Sequence, residues 1–260
     1  MKDKALKVLP IAVGVALGFL LVSAPEWFRG LGPLRFLVAA GLVFAFLISF
    51  VAVTISANLP GDIRLTPASE DDLGELRPIV ESYRAIGFSP AGPPLLAGVS
   101  PPALMVPLVH QAGKMYATVF RTGTVPAKTS FDVVSLLAGA RGGLTTSPTP
   151  AGATLPAAAG NFRQVFNGAT PPVLVKHHLA GIAYLERRGI HLKPVSAASF
   201  TSDFKAAIAD QRAHFLARPI RSAIVAIWRS ATRLTPHTGP IEKQPLAQRQ
   251  IAGLITGRSV

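Results

Sequence analysis

Two long apolar runs dominate the start of the chain. Val8 to Ala24 holds 17 residues without a charge, and Phe36 to Ile55 holds 20. A helix crossing the hydrocarbon core of a bilayer takes about 17–25 apolar residues. A helix that is apolar on every face has no side to offer to water. The runs predict an N-terminal two-helix transmembrane hairpin over residues 1–57, with spans at about 8–24 and 36–56. The connection Pro25–Arg35 is short and turn-rich. It carries Trp27, Arg29 and Arg35, residue types that settle at headgroup level. Gly14 and Gly18 form a GxxxG pair that lets two helix backbones approach closely.

Lys2, Lys4 and Lys7 precede the first run, and positive-inside counting puts the N-terminus and the following domain on the cytoplasmic side. This is the reading of an integral, multi-pass protein of a bacterial inner membrane. Val22-Ser23-Ala24 also resembles a signal-peptide cleavage site, but Pro25 directly after it disfavours a cut. Neither run contains an ionisable residue, so the hairpin reads as an anchor, not as an ion or proton pathway.

Beyond Asn58 the periodicity changes, and residues 58–234 predict an α+β soluble domain: a helix, an antiparallel β-meander of four or five strands, then two or three helices. Ser69 caps a helix whose first turn holds Glu70, Asp71 and Asp72, and Gly87 stops it. The runs 104–110, 114–121 and 129–137 alternate as strands between Gly-containing turns, and 143–147 adds a short one. Residues 148–160 form a Pro- and Ala-rich loop. Thr170-Pro171-Pro172 opens a helix that runs to Arg188 and is apolar enough to pack on the sheet. A further helix covers Phe200 to Ala217.

Pro219 starts another helix, with Ile220, Ile224, Ile227 and Trp228 on one face and Arg218, Arg229 and Arg233 opposite. That division fits either a membrane-interface helix or one docked on the domain. The tail, 235–260, contains Pro236, Pro240 and Pro245 and cannot form a core alone, so if ordered it predicts a segment held by something else, with a partner subunit the natural candidate.

Charge sharpens this picture. The chain has 26 Lys and Arg against 13 Asp and Glu, and the excess is concentrated after Arg187. A basic end fits anionic lipid headgroups or acidic partner subunits. No aromatic-plus-basic recognition motif points to nucleic acid. Cysteine is absent, which excludes disulfides and thiolate chemistry.

Six histidines are present, and no two stand three or four residues apart as local metal ligands. His177 and His178 are the candidates for a single-ligand cofactor contact, against a reading as ordinary core or surface residues. Asp132 lies in a strand near Ser130 and Ser135, with no identifiable base. Gly139 to Gly143 lacks the Lys-Ser/Thr of a P-loop.

With no catalytic constellation, no cofactor and no metal predicted, the expectation is a non-catalytic accessory subunit of a larger membrane complex of respiratory or photosynthetic type. It would contact other subunits and anionic headgroups. One alternative is a membrane-tethered ligand- or lipid-binding module with an apolar pocket between the meander and the Pro171–Arg188 helix. A second is a membrane-bound enzyme in which His177 or His178 meets Asp132 or a serine in a cleft.

Overall fold

The computed structural model describes residues 34–58, 63–98, 102–123, 128–139, 141–150, 156–158, 160–232 and 237–256. The elements in order are helix α1 (Leu34–Asn58), strand β1 (Leu65–Pro67), a 3-10 segment (Glu70–Leu76) and α2 (Arg77–Arg84). Strands β2 (Phe88–Pro90), β3 (Leu95–Ala97), β4 (Ala103–His110), β5 (Tyr116–Thr122), β6 (Lys128–Leu136), β7 (Gly143–Ser147) and β8 (Asn161–Val165) follow. The chain then forms α3 (Pro171–Arg187), α4 (Phe200–Ala217), α5 (Pro219–Thr232), a 3-10 turn (Ile241–Lys243) and α6 (Pro245–Thr256).

One eight-stranded sheet organises the domain, in the order β1-β3-β4-β5-β6-β7-β8, with β2 also paired to β4. The meander β4-β5-β6-β7 is antiparallel, as the alternation predicts, while β8 joins β7 in parallel with Thr146 opposite Gln164. Gly113 makes the tight β4–β5 connection at φ 61°, where a side chain would be strained, and its N–H bonds the His110 carbonyl at 2.8 Å. The N-cap at Ser69 forms as the sequence predicts, and the structure adds a capping box, with Asp72 Oδ2 accepting from the Ser69 N–H at 3.2 Å.

Because side chains alternate across a strand, the sheet has two unlike faces. One is covered by α2 and α3, where Leu76, Tyr83, Leu108, Val119, Val133 and Leu174 are almost completely buried. That core continues under α3 through Leu144, Phe162 and Leu185. The tail completes it: Ile241, Ala247 and Ile251 are buried in the same cluster. It is bonded to β8 through backbone and side chain, with the Ile241 N–H donating to Gln164 Oε1 at 3.1 Å and the Gln244 side-chain Nε2 donating to the Arg163 carbonyl at 3.0 Å. The described part of the tail is thus held by its own domain. Its few apolar residues are too sparse to nucleate a core, but they fill a gap left by α3 and the sheet edge.

The transmembrane hairpin is corrected. Among the described residues no helix is long and apolar enough to cross a membrane, so neither the hairpin, nor the membrane keywords, nor the multi-pass inner-membrane localisation stands. The first run, Gly14, Gly18, Trp27 and Arg29 lie outside the described residues. The second run folds as α1, with the Arg35 backbone in its first turn. Ile48 and Ala52 of α1 pack on Ala223 of α5, while Leu37, Phe44 and Leu47 are exposed. Hydropathy shows that a helix is apolar and leaves open what lies against it. Here a neighbouring amphipathic helix takes one side.

Candidate functional site

The second face of the sheet is not filled. Helix α4 crosses it and leaves a groove of about 610 Å³, within the ~300–1,000 Å³ range of small-molecule sites. At one end the walls are apolar: Ile63, Ala97 and Ala103 meet Phe204 and Ile208 of α4. Met105, Tyr116 and Phe200 pack beside them. Towards β7 and β8 the lining turns polar, with Thr145, Ser147, Asn161 and Arg163 from the strands and Gln211 from α4.

A hydrogen-bonded cluster holds α4 over the sheet. Tyr116 Oη on β5 donates to Asp203 Oδ2 at 2.9 Å and lies 2.8 Å from Ser199 Oγ. Lys193 Nζ reaches Asp203 Oδ1 at 2.6 Å. Burial pushes the Asp203 carboxyl up, but the Lys193 and Tyr116 contacts outweigh it and hold the group below the usual carboxylate range. All four partners are used in closing this end of the groove.

Asp132 lies at the centre of the groove floor, on β6, opposite Thr118 of β5. Thr118 donates to its carboxylate, yet Oδ1 is buried without a hydrogen-bond partner. Burial raises the Asp132 pKa to about 7, against the lowering influence of Arg163 and Thr118. Across β7, Arg163 contributes the groove's guanidinium. Burial and the nearby Arg229 of α5 disfavour its charge, while Asp132 supports it. His237, next to both arginines, has a buried Nε2 without a partner, and burial plus the two positive charges push its pKa down to about 4.

The residues singled out by sequence fall in different places. His178 lies on the packed face, fully buried, with Nε2 2.9 Å from Ser135 Oγ and Nδ1 2.8 Å from Thr146 Oγ1. Ser135 also donates to the Lys114 carbonyl at 2.8 Å. A histidine does meet a serine, but in a solid core with no cleft. Burial lowers the His178 pKa to about 3, so it stays neutral. His177 stacks on Phe166 with ring centroids 3.8 Å apart. Among the described residues the space between the meander and α3 is filled by core side chains, and the apolar-walled cavity lies on the opposite face. Ser130 and Asp132 share that face, while Ser135 points away.

Arg218 and Trp228 are exposed, whereas Arg229 is partly buried towards Arg163. Arg233 lies outside the described residues. Arg163 and α4's Gln211 were not found from sequence. The signal for Arg163 was the alternation Asn161-Phe-Arg-Gln-Val165 between Gly160 and Gly168, which is a strand with Phe162 and Gln164 turned to the core.

Fold and site together define an α+β protein with one packed sheet face and one grooved face. Among the described residues, no three His, Asp or Glu side chains are placed to hold a metal ion. No family model, curated protein or solved structure matches this chain.

Proposed function

We propose that the protein is a binding module for a small amphipathic organic molecule, taken into the groove between the sheet and α4. One observation carries this reading: an apolar-walled cavity of about 610 Å³ has a carboxylate oxygen, Asp132 Oδ1, buried in its floor without a partner. A buried polar atom left unbonded costs about 1–3 kcal/mol. A ligand that supplied the missing bond would recover part of that cost, and burial of its apolar body in the groove would add to the affinity.

The test is a fluorescence titration of the full chain with the neutral apolar dye N-phenyl-1-naphthylamine. Saturable enhancement at one site is expected. Ala207→Trp, which places an indole into the groove from the inner side of α4, should weaken binding at least about tenfold without changing the melting temperature. No saturable signal, or equal binding by Ala207→Trp, would sink the reading.

A second reading rests on a different observation. Ile220, Ile224 and Trp228 on α5 and Leu37, Phe44 and Leu47 on α1 are exposed apolar side chains. Such surfaces suit a non-catalytic accessory subunit that docks on partner subunits. Migration of the natively purified protein alone, as a monomer, would argue against it.

A further inference from the structure

We propose that the groove takes a ligand with a neutral hydroxyl head on an apolar chain, the hydroxyl seated on Asp132 and the chain running to the β3–β4 end. This rests on the binding-module reading and names its ligand class.

The head group follows from what Asp132 lacks. Its Oδ1 is buried without a partner, and the neighbouring hydroxyls on the groove face are engaged. Thr118, opposite on β5, already donates to the carboxylate. Ser147 on β7 donates to the Thr149 carbonyl, and Ser130, on the same strand as Asp132, lies 3.5 Å from Thr149 Oγ1. The missing group is therefore a donor that arrives from outside the chain.

Three kinds of head can be compared against that need. A carboxylate carries acceptors only and would leave the oxygen bare. An ammonium carries donors, but it must shed its hydration shell beside apolar walls, and a buried charge costs far more than a buried hydroxyl. It would also enter beside Arg163, whose positive charge already acts on Asp132. A hydroxyl meets neither obstacle. It also suits both states of a carboxyl that burial leaves divided between ionised and protonated forms near neutral pH. It donates to the carboxylate and accepts from the acid.

The direction of the chain follows from the walls. Asp132 pairs with Thr118, Thr118 pairs with Pro107 on β4, and Ala103 lies four residues along that strand. Two strand spacings of ~4.8 Å and those residues at ~3.3 Å each put the apolar end about 16 Å from Asp132. Phe120 and Met105 line the way, and Ala103 there meets Phe204 and Ile208 of α4. An extended chain of about ten to twelve carbons covers that distance.

The experiment displaces N-phenyl-1-naphthylamine from the full chain at pH 7.5 with four ligands sharing a ten-carbon tail: decanol, decyl methyl ether, decanoate and decylamine. Decanol should displace the dye about tenfold more effectively than the ether, which accepts but cannot donate. The acid and the amine should both fall below decanol. Asp132→Leu replaces the acceptor with hydrocarbon of similar size and should bring decanol down to the level of the ether. The ratio of alcohol to ether does not depend on how tightly the dye binds. Measured on the native chain, it also decides the matter if Asp132→Leu does not fold.

Equal displacement by alcohol and ether would overturn the hydroxyl assignment, and so would preference for the acid or the amine. An alcohol preference that survives Asp132→Leu would overturn the role of Asp132. In each of these cases the dye still binds and the binding-module reading stands. If the dye itself does not bind, that reading falls, and this inference with it.

Discussion

The two faces of one sheet treat buried polar groups in opposite ways. On the packed face, His178 is fully buried, yet both ring nitrogens are bonded, to Ser135 and Thr146. Gln164 extends the network, donating to Thr146 Oγ1 at 3.1 Å and accepting from the Ile241 N–H. On the grooved face, Asp132 has one carboxylate oxygen without a partner and borders a cavity. A satisfied buried network fixes a unique packing; an unsatisfied group beside a cavity is a place where another molecule can supply the bond. Among the described residues Tyr83 Oη is an exception on the packed face, buried and unbonded, and Gln244 Oε1 of the tail is another. The Tyr83 ring lies edge-on to Phe88 and Phe131 within the packed core, and it does not line the groove.

The largest effect should come from breaking the satisfied network. His178→Ala removes a buried ring and leaves Ser135 and Thr146 short of a partner. We expect a loss of about 3–5 kcal/mol in urea unfolding at pH 8. A loss below about 1 kcal/mol would mean that the network is not integral to the core.

Next comes the closeness of the packing. Gly181 lets α3 approach the sheet, since a Cβ there would lie 2.6 Å from Gln164 Nε2 and 2.9 Å from Leu144 Cδ2. Gly181→Val should cost about 2–3 kcal/mol despite removing a helix glycine. An equally bulky change at Ala207, on the grooved side, should be nearly neutral.

The smallest effect concerns pH, where the two faces should respond with opposite signs. The Asp132 pKa is raised from 3.8 to about 7 in the fold, so its favourable contribution is complete below 3.8 and is lost as pH rises through about 7. Asp132→Asn should therefore stabilise the protein at pH 8, by about 1–2 kcal/mol, and confer no gain at pH 4. His178 works in reverse. Its pKa falls from 6.5 to about 3, so the unfolded chain takes up the proton first and stability declines as pH falls below 6.5. Urea midpoints of the native protein and Asp132→Asn across pH 4–8 would separate the two contributions. A gain independent of pH would remove titration of Asp132 as the cause.

Local features were legible where the signal is local. The Ser69 cap, the turn at Gly113, the α4 boundaries and the strands of the meander all follow from spacing and turn chemistry, because neighbouring residues decide them. Strands β1, β2 and β3 span only three residues each, too short for alternation to register. Asp132 could be noticed, and so could Ser130 and Ser135, but strand parity alone does not say which face carries a lid and which a core.

What the sequence determined by itself was the α+β class, the main helices and most of the central strands. It also determined the alternation that makes the sheet two-faced, since these are read over a few consecutive residues. What only the tertiary structure decided was contact across the chain. It set the tail into the core, laid α5 along α1, and put His178 on Ser135. It also brought Arg163 and Asp132 to one cavity. Those meetings join residues dozens of positions apart, and their energy depends on burial and partners that no stretch of sequence contains.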